Sequence, residues 1–312
     1  MKERFVAMAC FLAVTGLLLE AQTVRFVRSI DLNPKPKKSL ASVILGSKPK
    51  QAVNPGSIAR VGQDRYCVTD AINGAVWILD SRGDMKKRIT RAGKSNLVSP
   101  VSACADDAGR LYVSDSALAG VYRYSADYAF DEVFLSPPRS RITGIAYSGG
   151  TFFCVDTQNH RILCFDEQGN LRRSFGERGA ANGQFNFPTH IAADGDYIYV
   201  TDAMNFRIQV FDPLGNFIRK MGTQGRGGGN FSKAKGVAVD TERRIFVADA
   251  MFDNVQIFDF EGNFLYYFGG PGHGEGEFWM PSGILINTDN TIWVADTYNG
   301  RIQIFQVEGD SL

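Results

Sequence analysis

Residues 170–211 read NLRRSFGERGAANGQFNFPTHIAADGDYIYVTDAMNFRIQVF, and the chain nearly repeats them twice more. From Asn216 it gives NFIRKMGTQGRGGGNFSKAKGVAV and then RIFVADAMFDNVQIF. From Asn263 it gives NFLYYFGGPGHGEGEFWMPSGILI and then TIWVADTYNGRIQIF. Self-similarity at this period means one supersecondary unit copied along the chain. A short signature ending in Asp marks every copy: Val68-Thr69-Asp70, Val113-Ser114-Asp115, Cys154-Val155-Asp156, Val200-Thr201-Asp202, Val247-Ala248-Asp249 and Val294-Ala295-Asp296. The aspartates lie 45, 41, 46, 47 and 47 residues apart, so six copies are present.

Each copy has the same internal order. A short apolar strand such as HIAAD from His190 comes first, and a β-branched and aromatic strand such as YIYVTD from Tyr197 ends at the signature Asp. A polar turn leads to a third strand, RIQVFD from Arg207 or NVQIFD from Asn254. A tight turn carrying Gly before Asn follows, as at Gly215-Asn216, which suits a hairpin needing positive φ. The fourth strand is charged, as in DMKKRIT from Asp84, and is expected at the exposed outer edge, where charge opposes aggregation. Six small antiparallel sheets of four strands, each unable to bury both faces alone, predict an all-β, six-bladed β-propeller. The last copy stops after its third strand, at Phe305, while residues 23–30 form an unassigned strand at the other end. That strand is expected to supply the missing outer strand of the last blade.

Beyond the repeats, residues 1–21 read as a secretory leader: Lys2 and Arg4, an apolar run over 7–19, and small residues near Ala21. The run is too short to span a bilayer. The chain is therefore expected to be exported, periplasmic or extracellular, with a single propeller domain over 22–312 and no membrane span once the leader is removed. Residues 33–53 form a Lys- and Pro-rich loop with Pro34, Pro36 and Pro49. Net charge is +1, from 34 basic and 33 acidic residues, which argues against nucleic-acid binding by bulk charge. Cys67, Cys104, Cys154 and Cys164 all fall in expected strands, either as buried thiols or, for Cys154 and Cys164, as a bridge across one hairpin.

The run FxxPxxIA, then VxD, xxNxRIQVF and GN, resembles the NHL repeat, a family that builds six-bladed propellers. The resemblance covers residues 23–305 and is best where Asp156/Asn159/Arg161, Asp202/Asn205/Arg207 and Asp296/Asn299/Arg301 recur. The first copy keeps Asp70 and Asn73 but has Ala75 for the Arg; the second has Asp115, Leu118 and Gly120; the fifth has Asp249, Phe252 and Asn254. Some propellers of this kind are lyases that hold a metal with several channel histidines. Here the corresponding positions are Ser57, Ser102, Gly144, His190, Gly236 and Gly283, so only one is His and that metal site does not carry over.

A group that recurs once per blade has a blade's task. The repeated Asp and Asn are expected to hold turns, with the Arg pairing to the Asp or to carbonyls. Arg161, Arg207 and Arg301 could still offer guanidinium edges on that face. His190 is expected on the channel rim, His160 in a turn and His273 in a Gly-rich loop. Ca²⁺ in the channel is the one cofactor considered, through carboxylates such as Asp106, Asp107, Asp194 and Asp240, although these stand in turns. No catalytic residue set emerges. The long connections 176–188, 222–235 and 269–281 carry Phe185, Phe187, Phe231, Phe278 and Trp279. These either plug gaps between blades or form a binding face on a rigid frame. The expectation is a monomeric scaffold that binds a protein or peptide, with a channel enzyme of the lyase or lactonase kind as the alternative.

Overall fold

The computed structural model describes residues 23–33 and 53–308. The expected leader, and nearly all of the Lys- and Pro-rich loop, lie outside the described residues. Six four-stranded antiparallel sheets follow in chain order, together with one two-stranded hairpin at Arg91–Ala92 and Ser95–Asn96. Blade 1 spans 58–89, blade 2 spans 100–135, blade 3 spans 142–175, blade 4 spans 188–221 and blade 5 spans 234–269. Blade 6 takes its first three strands from 281–308 and its outer strand from Thr23–Asp31. Among the described residues, no helix is long and apolar enough to cross a membrane.

The closing strand runs antiparallel to Arg301–Glu308, pairing Thr23 with Glu308, Phe26 with Phe305 and Asp31 with Arg301. A bulge between Phe26 and Arg28 turns Val27 outward. Val24 and Ile30 are buried, Arg25 pairs with Glu308, and Arg28 reaches the Ser81 carbonyl of blade 1. At the same junction Tyr66 and Trp293 stack with ring centroids 4.0 Å apart. Residues 23–31 and 301–308 are thus joined by a ladder, and blades 6 and 1 by a packed seam.

Period-two alternation sends successive strand residues to opposite sides of each blade. The second and third strands are buried throughout, as in Ile198–Asp202 and Arg207–Phe211, because both sides meet a neighbouring blade. The outer strands Met85–Ile89 and Leu171–Phe175 are exposed along nearly their whole length, as their charges required. The same alternation rules out the Cys154–Cys164 bridge. Cys154 stands opposite Leu163, and Cys164 opposite Phe153, so the two thiols project to opposite sides of blade 3. Cys154 packs with Tyr112 and Phe152 towards blade 2, Cys164 with Phe185 and Phe211 towards blade 4. All four thiols are free and buried, and burial raises the Cys164 pKa to about 11.

Candidate functional site

The signature Asp ends each second strand and pairs with the first residue of the third, as Asp202 with Arg207 or Asp249 with Asn254. The inner strand is antiparallel to the second, with Pro188 opposite Asp202. One face of the disc therefore gathers the signature turns, the long connections and the starts of the inner strands.

The three long connections share a construction. Each opens on a glycine with φ near +90°, Gly176, Gly222 and Gly269, and nine residues later places a phenylalanine ring on it. A Cβ on these glycines would lie 2.5 Å or less from Phe185, Phe231 and Phe278. Only glycine admits both the φ and the contact. The three rings are fully buried, beside Phe211, Phe258 and Phe305 respectively. Phe185, Phe231 and Phe278 are therefore plugs between blades and leave the candidate binding set. Phe187 and Trp279 are 44% and 47% exposed and remain in it.

The repeated polar residues form a clamp. Asp202 Oδ2 accepts from Asn205 Nδ2 at 2.8 Å, Arg207 Nε at 2.8 Å and Gln209 Nε2 at 3.1 Å, and Oδ1 accepts from Asn186 N. The rest of the Arg207 guanidinium donates to the carbonyls of Ala180, Ala181 and Gln184. Asp296, Asn299, Arg301 and Gln303 repeat this around His273, Gly274 and Glu277. Arg207 and Arg301 thus spend their donors holding loops. Arg161 differs: it reaches Asp156 through Nε at 3.1 Å, and 37% of its side chain is exposed because the connection before blade 3 is short. Asn159 and Asn73 bond Asp156 and Asp70 in the same manner, while Asp115 and Asp249 accept chiefly from backbone amides. The glutamines Gln209, Gln256 and Gln303 were missed in the sequence, although they recur seven residues after the signature Asp.

The channel ring also follows the expected positions. A Cβ on Gly144 would lie 2.8 Å from the Thr189 carbonyl, on Gly236 2.5 Å from that of Ser282, and on Gly283 2.2 Å from that of Gly56. Inner strands touch backbone to backbone there, and Gly283 N donates to Gly56 O at 2.7 Å. Hydroxyls latch blades 3, 4 and 6 to the blade that follows: Thr157 to Pro188 O, Thr201 to Lys235 O and Thr297 to Pro55 O. Asp106, Asp194 and Asp240 are tied into their own hairpins by Arg110 and Tyr112, Tyr199, and Arg244 respectively. Asp107 bonds the Tyr147 hydroxyl.

His190 stands where the channel meets the turn face, with Nδ1 2.9 Å from Thr189 Oγ1. Burial, and then the charge on Lys235, lower its pKa to about 3, so it is neutral at pH 7. Burial also lowers the pKa of Lys235. Both line a mostly apolar cavity of about 620 Å³ with Phe187, Met204 and Phe206. His160 is structural: its Nδ1 accepts from Phe187 N at 3.0 Å. His273 bonds Asn299 and lies edge-on to Trp279, which packs on Tyr298.

The turn face is apolar in a periodic way. Ile72, Met204, Met251 and Tyr298 each stand two residues after a signature Asp, and each is more than half exposed. The turn fixes the backbone through the Asp, so the second residue points away from the disc. Sequence reasoning passed over them, although an apolar residue recurring at one turn position was the available signal.

The NHL repeat family matches residues 278–305, and a family described as a 6-bladed beta-propeller matches residues 190–251. No curated protein sequence matches the chain. Among solved structures, the virginiamycin B lyase of Staphylococcus aureus is similar with a TM-score of 0.61 at 14% identity, over 83% of this chain and 97% of that one. A gluconolactonase of Xanthomonas campestris gives 0.63 at 13% identity, over 91% and 98%. An auxiliary nutrient binding protein of Bacteroides ovatus gives 0.64 at 15% identity, over 83% and 70%. Likeness at these identities speaks for the fold alone, since one fold hosts many roles. Six blades and the closing strand make this chain a six-bladed β-propeller, and its last blade carries an NHL repeat over residues 278–305.

Proposed function

We propose that the protein is an exported binding module that holds a protein or peptide ligand across the turn face. The observation that carries this reading is the set of exposed apolar residues on that face, Ile72, Met204, Met251, Tyr298, Phe187 and Trp279, of which Phe187 and Met204 line the 620 Å³ cavity. Exposed apolar side chains gathered on one face mark interaction sites, and a rigid disc orders them at little entropic cost. Aromatic and methionine side chains supply adaptable contact area. The leader-like start of the sequence supports a place for such a module outside the cytoplasm. The test is affinity capture from the native envelope fraction, comparing the parent with Phe187→Ala/Met204→Ala and Trp279→Ala/Tyr298→Ala. A partner retained by the parent and lost by both variants supports the reading. Equal capture by all three overturns it.

A second reading rests on the pairing of neutral His190 with Lys235 in one cavity. A neutral imidazole sharing a cavity with an amine of lowered pKa places a hydrogen-bond acceptor near a nucleophile, a combination used in covalent chemistry. The lyase and lactonase among the similar structures make virginiamycin B and gluconolactone the first substrates to try. Turnover of either that disappears in His190→Gln would favour this reading over the module.

A further inference from the structure

We propose that blade 5 carries a pocket for a guanidinium group, that of an arginine side chain presented by a peptide ligand. The repeats themselves supply the template. The connections before blades 4, 5 and 6 close with the same backbone bonds: Phe185 N to Glu177 O, Phe231 N to Thr223 O and Phe278 N to Gly270 O. The glutamine clamp is also common to all three, with Gln256 donating to Asn230 O and accepting from Gly229 N. In blades 4 and 6 the space inside that loop holds an intrachain guanidinium. Arg207 and Arg301 fill it, each donating to three loop carbonyls and to the buried signature carboxylate.

Blade 5 keeps the loop and lacks the arginine. Asn254 stands at the Arg position and Phe252 at the Asn position. The carbonyls matching those of Ala180, Ala181 and Gln184 belong to Arg226, Gly227 and Asn230. A cavity of about 260 Å³ opens there, lined by Arg226, Gly227, Phe252, Asn254, Gln256 and Tyr267. Asn254 Oδ1 is buried with no hydrogen-bond partner among the described residues, and no side-chain donor reaches Asp249 there. An unpaired buried acceptor and a carbonyl cradle together call for a donor-rich group. The planar fork of a guanidinium matches this set and can stack on Phe252 or Tyr267, which line the cavity; a lysine ammonium lacks the fork. The exposed Arg226 side chain opposes a cation at the rim, weakly because solvent screens it. The pocket lies outward from the His190 cavity and stands whether or not the apolar face captures a partner.

The test is fluorescence anisotropy with a labelled heptapeptide carrying one arginine among glycines and serines, against lysine and citrulline counterparts. The arginine peptide should bind, the lysine peptide at least fivefold more weakly, and the citrulline peptide not measurably. Asn254→Arg, which restores the occupant of blades 4 and 6, should weaken binding at least tenfold. Arg226→Ala removes the opposing charge at the rim and should leave binding unchanged or tighten it. Agmatine should displace the peptide, since the guanidinium is the recognised group. Equal arginine and lysine affinities, a folded Asn254→Arg that binds like the parent, loss of binding in Arg226→Ala, or no displacement by agmatine would each overturn the proposal. If Asn254→Arg does not fold, Tyr267→Ala serves instead; threefold weaker binding supports the pocket and unchanged binding refutes it.

Discussion

Blades 4 to 6 and blades 1 to 3 share one strand plan but solve the turn face differently. Before blades 4, 5 and 6, long Gly-rich connections are pinned by a buried phenylalanine and a side-chain clamp. Before blade 2 the same place is plugged by the smaller Leu97, behind a short hairpin, and Asp115 accepts only backbone amides. The difference shows two ways to satisfy one buried carboxylate. Backbone amides suffice at Asp115 and Asp249, while at Asp202 and Asp296 an arginine is recruited that also orders a long loop. Both the His190 cavity and the blade 5 pocket lie in the half with the long connections.

The strongest way to break the comparison is Asp202→Ala set against Asp115→Ala. Removing Asp202 strands the buried Arg207, and should cost about 3–5 kcal/mol. Removing Asp115 leaves backbone amides that water can reach in part, and should cost about 1–3 kcal/mol. Urea unfolding of both variants measures the gap, and equal losses would mean the clamp adds nothing.

A smaller effect separates the halves by pH. The folded His190 pKa, about 3, lies below the unfolded value, so between pH 6.5 and 3 the unfolded chain takes up a proton that the folded chain does not. Stability should therefore fall as pH falls from 7 to 5, by about 2 kcal/mol from this group. His190→Gln should flatten that part of the pH profile, whereas replacing Ser57 or Ser102, which hold the same ring position and do not titrate, should leave it intact. Urea midpoints at pH 7 and pH 5 read this directly.

Gln256→Ala should cost about 1 kcal/mol, because it frees one amide and one carbonyl in a partly solvated loop. Hydrogen exchange should quicken at Gly229 and remain unchanged in blade 2. Smallest of all, Trp279→Ala should move stability by no more than about 0.5 kcal/mol, since the ring is half exposed. A larger loss would place Trp279 among the plugs with Phe278 and shrink the proposed face.

The blade plan is legible in the amino-acid sequence. Six signatures count the blades, and an unpaired strand at one end with an unfinished copy at the other implies the closure. The roles of the aromatics are not legible there. Phe185 and Phe187 are two residues apart in one loop, yet one is a plug and the other faces solvent, and only the left-handed backbone at Phe187 separates them. The arginines pose the same difficulty: the repeat shows that they matter, but not that loop carbonyls take up the donors of Arg207.

Sequence by itself determined the repeat, the blade count and the ladder between residues 23–31 and 301–308, because strand periodicity and turn chemistry are local and recur in register. Tertiary structure alone decided that Cys154 and Cys164 face apart, that three phenylalanines are sealed in, and that His190 and Lys235 share a cavity. Those outcomes depend on which side of a blade a residue meets and on what the next blade brings to it, and neither is written in a single copy of the repeat.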